Sequence, residues 1–243
     1  MSSVDSPSPA GLAPSSARPP ALRGLLDAVP IMLGFVPFAL VLGAQAAQKG
    51  MSVVEVPLMT GLNFGGGSEF AAVALWSSPP HLLLIAAVTL LINSRHILMG
   101  AALAPAFKGK PLRQVLPALF FMCDEVWALA MQEMRRKGGV ISLRYYAGVA
   151  APLYLTWVVC TAIGAAIGPV LGDVTRFGFD MAFPAVFLVM LAGMWSGLRA
   201  ALPWIASLIA AGLSVLYLPG AWYVPVGTLT GLGVALLLAD RAP

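Results

Sequence analysis

The sequence predicts an all-α membrane protein, a polytopic bundle of about seven or eight transmembrane helices. Hydrophobic residues make up 59% of the 243 positions and charged residues only 10%, whereas a soluble domain has about a quarter charged residues. The mean hydropathy is +0.88. This composition excludes a soluble globule. Helices are expected because an open sheet cannot satisfy its backbone hydrogen bonds in lipid.

Eight apolar runs define the predicted helices. Most reach the roughly 20 residues that a spanning helix needs, although the last three are shorter. In chain order the runs are 25–48, 56–76, 81–106, 114–134, 145–168, 181–198, 200–218 and 221–239. Eight spans is therefore the upper count, and seven spans, or six with a re-entrant segment, fit the same pattern. Pro37 lies well inside the first run and should kink that helix.

The N-terminal residues 1–22 are rich in Pro, Ser and Ala, and they contain too few apolar residues to fold. We predict a disordered tail, followed by a single transmembrane domain over 23–243. The first apolar run is too long for the core of a signal peptide. Cys123 and Cys160 lie inside apolar runs without metal-type spacing, so we predict no metal site, and no cofactor is expected.

Basic residues outside the predicted helices indicate the orientation, because they are enriched in cytoplasmic loops. If the N-terminus is cytoplasmic, the inner loops contain eight: Arg18, Arg23, Arg135, Arg136, Lys137, Arg144, Arg199 and Arg241. The outer loops then contain five: Lys49, Lys108, Lys110, Arg113 and Arg176. This bias predicts that both termini are cytoplasmic. It also explains the net charge of +4 without nucleic-acid binding.

Three polar motifs lie near the middle of consecutive apolar runs, where ionisable groups are costly and usually functional. They are Asn63-Phe-Gly-Gly-Gly-Ser-Glu69, Asn93-Ser-Arg-His96 and Cys123-Asp-Glu125. The motifs would therefore meet at one depth in the bilayer. The four later runs contain no Asp, Glu, Lys, Arg or His, so the predicted site is confined to the N-terminal half.

One arginine faces three acids in these motifs. Arg95 with Asp124 or Glu125 could be a purely structural ion pair, but with Glu69 the acids outnumber the cation. The excess carboxylates must be protonated, face water or bind something that the sequence does not supply, which favours a binding function. Adjacent residues on a helix point about 100° apart, so Asp124 and Glu125 are not expected to share one role.

The glycine run Gly65-Gly66-Gly67 predicts a broken helix, because each glycine disfavours helix by about 1 kcal/mol relative to alanine. Such breaks are tolerated where they line a cavity, and they aim half-helix N-termini at anionic groups. The second half-helix would begin near Ser68 as its N-cap, with Glu69 in its first turn. Close helix packing is the alternative, although adjacent glycines lack the small-xxx-small spacing.

The three motifs resemble those of the AzlC-type branched-chain amino acid permeases, the large subunits of a two-component transporter of the bacterial inner membrane. Gly65-Gly-Gly-Ser-Glu-Phe-Ala-Ala-Val73 is similar to the family's A-G-A-S-Q-F element, with Glu69 where the family usually has Gln. Asn93-Ser-Arg-His-Ile-Leu-Met-Gly-Ala-Ala-Leu-Ala-Pro105 is similar to N-x-R-H-x-L-M-G-A-x-L-x-P, and Asp124-Glu-Val-Trp-Ala128 to D-E-x-x-A. The resemblance covers residues 25–200.

This resemblance implies import or export of Leu, Ile, Val or similar amino acids, together with a small AzlD-type membrane subunit. No G-x-x-x-x-G-K-[ST] nucleotide-binding motif occurs in the chain, so a proton- or ion-coupled mechanism is expected. The expected location is the bacterial inner membrane, and the expected direction is export.

A zwitterionic amino acid needs an anion site, a cation site and an apolar pocket, and the motifs offer the first two. The backbone amides of Gly65–Ser68 with Arg95 would bind the carboxylate, and Asp124 or Glu125 the ammonium. The full set of predicted substrate-binding residues is Asn63, Gly65, Gly66, Gly67, Ser68, Asn93, Arg95, Asp124 and Glu125. Glu69 or His96 would couple transport to protons, since burial disfavours the charged form of either side chain.

Two other classes of function fit parts of the sequence. Ser68 and His96 superficially resemble the Ser–His pair of a rhomboid-like protease, but Phe70 replaces the usual small residue two positions after the serine. No H-E-x-x-H metalloprotease motif occurs, so we predict that the protein is not an enzyme. A non-transporting assembly subunit of a membrane complex is the remaining alternative.

Overall fold

The structure, a computed structural model, describes residues 18–171, 197–218 and 222–239. All regular structure in this part of the chain is helical, which confirms the predicted fold class. The helices are α1 (Pro20–Gln48), α2 (Glu55–Asn63), α3 (Gly67–Ala74), α4 (Leu82–Asn93), α5 (Arg95–Leu103), a 3₁₀ turn (Ala104–Phe107), α6 (Leu112–Phe120), α7 (Asp124–Arg136), α8 (Leu143–Leu171), α9 (Leu198–Tyr217) and α10 (Tyr223–Ala239). Residues 1–17 of the predicted tail, Arg176, Arg241 and most of the run 181–198 lie outside the described residues.

Four segments of the described chain are long and apolar enough to cross a membrane. They are Pro20–Gln48, Leu82–Phe107, Leu143–Val170 and Leu198–Tyr217. Pro225–Leu238 is a shorter apolar helix that packs against α9. The first segment is a single helix that continues through Pro37.

α1 and α8 form the most extensive helix pair of the described residues, and they run parallel. A Cβ atom at Gly148 would collide with the carbonyl of Ala21, and one at Gly164 would collide with the carbonyl of Leu40. Early residues of α1 thus face early residues of α8, and late residues face late ones. Glycine allows this close approach of two backbones, as is common between helices in membranes.

The apolar run 56–76 folds back on itself instead of crossing the bilayer. α2 runs along α8 towards its middle, where the Tyr154 hydroxyl donates a hydrogen bond to the Gly61 carbonyl at 2.8 Å. α3 then returns, so that Trp76, just after its end, lines the same cavity as Glu55 at the start of α2. α2 and α3 are therefore a helical hairpin that enters from the end of the protein where α1 finishes.

The apolar run 114–134 also folds back, but from the opposite end. The Tyr146 hydroxyl, near the start of α8, donates to the Ala118 carbonyl of α6 at 2.6 Å. The ring of Phe121 lies 4.9 Å from that of Tyr154, two turns further along α8. α6 thus runs from the start of α8 to its middle.

α7 completes this second hairpin by returning to the end where α6 begins. Glu133, in its last turn, forms a salt bridge with Arg23 at the start of α1 and another with Arg136. α4 and α5 together cross between the two ends, since Phe107 packs 6.0 Å from the ring of Tyr146. From α1 to α8 the chain therefore forms a spanning helix (α1), a hairpin (α2 and α3), an interrupted span (α4 and α5), a second hairpin (α6 and α7) and a spanning helix (α8).

With this topology the two ends of the protein carry very different numbers of Lys and Arg residues. The end where α1 and α8 begin, here called the basic end, carries nine basic residues: Arg18, Arg23, Lys108, Lys110, Arg113, Arg135, Arg136, Lys137 and Arg144. At the opposite end, here called the Lys49 end, Lys49 is the one Lys or Arg between residues 18 and 171. Lys108, Lys110 and Arg113 lie at the same end as Arg23, not at the opposite end as predicted, because the preceding run 56–76 returns instead of crossing.

Cysteine labelling distinguishes a hairpin from a spanning helix over 114–134. We expect a membrane-impermeant thiol reagent to modify Lys110→Cys and Lys137→Cys from the same side of the membrane, because both positions lie at the basic end. Lys49→Cys, as the control for the other side, should be modified only from the opposite side. Labelling of positions 110 and 137 from opposite sides would contradict the hairpin.

Candidate functional site

Three interruptions of helices meet midway between the two ends. The first hairpin turns at 64–66, the second turns at 121–123, and the central span is interrupted at Ser94. The break predicted at the glycine run is confirmed. Phe64 (φ 45°) and Gly66 (φ 57°) adopt left-handed backbone conformations there, which a side chain disfavours and glycine allows. The other two interruptions contain no glycine and were not predicted.

Arg95, the first residue of α5, joins the tips of both hairpins. Its Nη2 donates a hydrogen bond to the Gly65 carbonyl at 2.9 Å, and its Nε donates to Oδ1 of Asp124 at 3.1 Å. Nη2 also lies 3.0 Å from Oδ2 of Asp124, and the two side chains are 30% and 27% exposed. The ion pair expected between these motifs therefore forms with Asp124, and it is open enough for a ligand to reach.

A row of polar side chains lines the tip of the first hairpin. Asn93 donates through Nδ2 to Oδ1 of Asn63 at 2.8 Å, and Asn63 donates through its own Nδ2 to the Ser68 hydroxyl at 2.8 Å. The Oδ1 atom of Asn93 is buried and has no hydrogen-bond partner among the described residues. Gly66, not Ser68, is the N-cap of α3, because the Ser68 side chain is turned towards Asn63.

The polar side chains around Gly65 leave no space for a Cβ atom at this position. A Cβ atom there would collide with the Ser68 hydroxyl and lie 2.7 Å from Oδ1 of Asn93. We therefore expect Gly65→Ala to lower the stability of the purified protein, by about 1–3 kcal/mol if it acts as an ordinary overpacking change. Thermal unfolding in detergent measures this. Gly34→Ala is the control, since nothing lies within 4 Å of its Cβ position; equal melting temperatures would contradict the crowding.

Glu69 lies in the first turn of α3, as predicted, and is completely buried. Its Oε2 accepts a hydrogen bond from Nε1 of Trp157 at 2.7 Å, and its Oε1 accepts one from the Gly65 amide at 3.3 Å. A backbone donor at the glycine break, the Gly65 amide, therefore binds the protein's own carboxyl group.

The other predicted site residues, His96, Glu125 and Gly67, form no hydrogen bond with Arg95 among the described residues. His96 bonds through Nδ1 to the backbone carbonyl of Asn93 at 3.1 Å. Glu125 lies beside Cys123, and it forms no salt bridge within the described residues. Gly67 is the first residue of α3. The structure thus separates Glu125 from Asp124, as the 100° rule for adjacent helical residues predicts.

Trp157 is a residue of the site that is not among the substrate-binding or proton-coupling residues predicted from the sequence. It is buried at the middle of α8, where its ring also packs 5.4 Å from Phe35 of α1. In the sequence it is a tryptophan deep in an uncharged run, a pattern that favours core packing over contact with a substrate. Only the fold shows that its N–H group faces Glu69.

A family model described as AzlC protein matches residues 30–171, which is more than half of the chain. The chain belongs to the AzlC family. The match includes both hairpins, the interrupted central span and all the residues that meet at their tips.

AzlC-family relatives of the chain include membrane proteins from archaea and bacteria. An uncharacterised membrane protein of Archaeoglobus fulgidus is 30% identical over 171 residues, 70% of this chain and 73% of the relative. The inner membrane protein YgaZ of Escherichia coli is 29% identical over 167 residues, 68% of this chain and 66% of YgaZ. An uncharacterised membrane protein of Haemophilus influenzae is 26% identical over 219 residues, 86% of this chain and 85% of the relative. No solved structure is significantly similar to the chain.

In this AzlC-family protein a cavity of about 370 Å³ lies between the first hairpin and α4. Glu55 and Trp76 line it at the Lys49 end, Leu58 and Ile85 contribute apolar walls, and Glu69 lines its deepest part. The part of the chain that the structure describes contains no group of three or more His, Cys, Asp or Glu side chains placed to hold a metal ion.

Proposed function

We propose that this AzlC-family protein transports branched-chain or similar apolar amino acids across the membrane, in the direction of export. The observation that carries the proposal is the partly exposed ion pair between Arg95 and Asp124, at the point where two hairpins from opposite ends meet. Discontinuous helices at mid-membrane depth are a common way for transporters to bind small charged substrates.

An amino acid zwitterion can take the place of the ion pair without leaving a charge unpaired. The substrate carboxylate binds the Arg95 guanidinium, whose planar fork suits a carboxylate. The substrate ammonium binds Asp124, which the arginine has released. Because each charge of this partly buried pair keeps a partner throughout, the exchange avoids the penalty of an isolated charge in low dielectric.

The apolar part of the substrate has aromatic surroundings at the two tips. Phe64 of the first tip and Phe121 of the second both pack edge-on against Tyr154, at 5.1 Å and 4.9 Å between ring centroids. Phe121 and Tyr154 are partly exposed and offer a hydrophobic wall, and Phe121 lies three residues before Asp124 in the second tip. Phe64 is buried and supports Tyr154 from behind. A site with one cation, one anion and an apolar wall fits a neutral, apolar amino acid better than a charged or strongly polar one.

The two hairpins are suited to act as gates at opposite ends. In the described state Arg95 binds both tips at once, the first through the Gly65 carbonyl and the second through Asp124. Movement of the first tip away from Arg95 would open the site towards the Lys49 end, and movement of the second would open it towards the basic end. Alternate opening of such elements around a fixed site is how secondary transporters work.

We further propose that the basic end faces the cytoplasm, because nine of the Lys and Arg residues between 18 and 171 lie there and one lies at the Lys49 end. The name of the Escherichia coli relative supports the inner membrane as the location. A small AzlD-type subunit, implied by the resemblance of the motifs, is the proposed partner.

Flux of radiolabelled leucine and valine in proteoliposomes tests this function. The chain is reconstituted alone and with a candidate AzlD-type subunit, and a pH gradient is imposed. We expect saturable flux of both amino acids in at least one preparation. Absence of flux in both, with protein that is verified to be folded, would contradict the proposed function.

A further inference from the structure

Glu69 is a buried carboxyl group without a cation. Its residue has no exposed surface, and within the described residues no Lys, Arg or His forms a salt bridge with it. Arg95 lies on the other side of Gly65, where it binds the carbonyl. An ionised carboxylate in the middle of a membrane is costly unless a positive charge lies beside it, so Glu69 needs a bound cation, either a proton or a metal ion.

The surroundings of Glu69 suit a proton better than a metal cation. Both carboxyl oxygens accept hydrogen bonds from N–H groups, one from Trp157 and the other from the Gly65 amide. Hard cations such as Na⁺ or Ca²⁺ need several oxygen ligands around them, whereas N–H donors repel a cation. A proton needs only the carboxyl oxygen itself.

The cavity between the first hairpin and α4 approaches this carboxyl group from the Lys49 end. It has a volume of about 370 Å³ and Glu69 is among its lining residues, although Glu69 has no exposed surface in the described state. A small movement of the first hairpin tip would therefore bring the carboxyl group into contact with the cavity. Its polar lining consists of Glu55, Asn63, Glu69 and Thr89. Glu55 is exposed at the rim, where it accepts a hydrogen bond from the Ser52 amide at 2.7 Å.

We propose that Glu69 is the proton-binding site of coupled transport, and that its proton enters through this cavity from the Lys49 end. The inference rests on the proposed function, and it selects Glu69 rather than His96 as the side chain that couples transport to protons. His96 does not line the cavity, and its Nδ1 is held by the carbonyl of Asn93.

Gly65 connects the proton site to the substrate site. Its amide donates to Glu69, and its carbonyl accepts from Arg95. Protonation of Glu69 weakens the bond from the amide, because a neutral carboxyl group is a poorer acceptor than a carboxylate. The tip of the first hairpin is then held less firmly between Glu69 and Arg95. Arrival of a proton thereby favours movement of the tip that Arg95 holds.

The other charged and titratable groups around α3 lie further from the Glu69 carboxyl group. On α2, Glu55 lies at the rim of the cavity. On α5, Arg95 is separated by Gly65 and paired with Asp124 of α7. On α8, Tyr154 donates to the Gly61 carbonyl. The side chains of α4 that line the cavity, Ile85 and Thr89, do not titrate.

The test is the pH-gradient dependence of leucine flux in proteoliposomes that contain the full chain and its candidate small subunit. We expect Glu69→Gln to retain exchange of labelled for unlabelled leucine but to lose the stimulation by a pH gradient. Glu55→Gln is the matched control, the same chemical change in the same cavity, and should keep the stimulation. Wild-type flux that responds to a Na⁺ gradient and not to a pH gradient would overturn the inference, as would a stimulated Glu69→Gln variant.

Trp157→Phe provides a second test if Glu69→Gln does not fold. It keeps the ring packing and the carboxyl group but removes the N–H donor, which favours the ionised form. We expect the pH midpoint of gradient-driven flux to move to higher pH, and an unchanged midpoint would overturn the inference. A wild-type protein that moves no amino acid at all would refute the proposed function. Amino acid flux that does not respond to a pH gradient would refute only the role of Glu69 as the proton site.

Discussion

Replacement of Arg95 with alanine should abolish amino acid transport while the protein still inserts into the membrane and purifies in folded form. The change removes the bonds to both hairpin tips and the only cation at the centre of the site among residues 18–171. The substrate carboxylate then has no counter-charge. Because the arginine and Asp124 are 30% and 27% exposed, water can solvate the remaining carboxylate, and the loss of stability should be only on the order of 1 kcal/mol.

Leucine flux in proteoliposomes, with melting temperature measured in parallel, checks this result. Arg135→Ala is the matched control, since it removes an exposed arginine at the basic end. Arg95→Lys should show reduced flux, because an ammonium group keeps the charge but cannot reproduce the planar fork of the guanidinium. Normal flux in Arg95→Ala would show that the ion pair is structural.

Gly43→Ala should strongly destabilise the protein. The Cβ atom would collide with the Thr161 carbonyl of α8 and lie 2.6 Å from the Ala165 amide nitrogen. Since these are backbone atoms of a helix, they cannot move aside, and the cost should be at least the roughly 1–3 kcal/mol of overpacking. The two long helices that support both hairpins would be forced apart.

The control for this change lies in the same helix. At Gly34 a Cβ atom would have nothing within 4 Å, so Gly34→Ala should leave the melting temperature unchanged or raise it through the higher helix propensity of alanine. A comparison of the two variants in thermal unfolding isolates the helix contact from the loss of a glycine. Similar melting temperatures would contradict the close packing of α1 on α8.

The helical fold and the position of the site could be predicted because both follow from local rules. Long uncharged runs can only be helices in lipid, and charges in the middle of such runs are too costly to be accidental. Asn63, Arg95 and Asp124 were found in this way, and the fold brings their three motifs together. The choice of Asp124 over Glu125 as partner of Arg95 needed the fold, since their order in the sequence does not fix the rotation of α7.

The two hairpins could not be predicted from segment length, because two half-helices and a turn occupy the same length as one spanning helix. The glycine run marks a break but does not say whether the chain continues or reverses, and the turn at 121–123 has no glycine at all. The distribution of the basic residues along the sequence did contain information about the hairpins. Eight inner against five outer is a weak bias. The hairpin at 56–76 moves Lys108, Lys110 and Arg113 to the basic end, and the hairpin at 114–134 keeps Arg135, Arg136 and Lys137 there.

Competition binding to the purified wild-type protein tests the central claim, that the paired charges at the hairpin tips recognise both ends of an amino acid. Labelled leucine is displaced with unlabelled leucine, with 4-methylpentanoate, which lacks the ammonium group, and with 3-methylbutylamine, which lacks the carboxylate. We predict that leucine competes and that neither analogue does at the same concentration, since each leaves one charge of the partly buried ion pair without a partner. Equal competition by either analogue, or full binding of leucine to Arg95→Ala, would contradict the account.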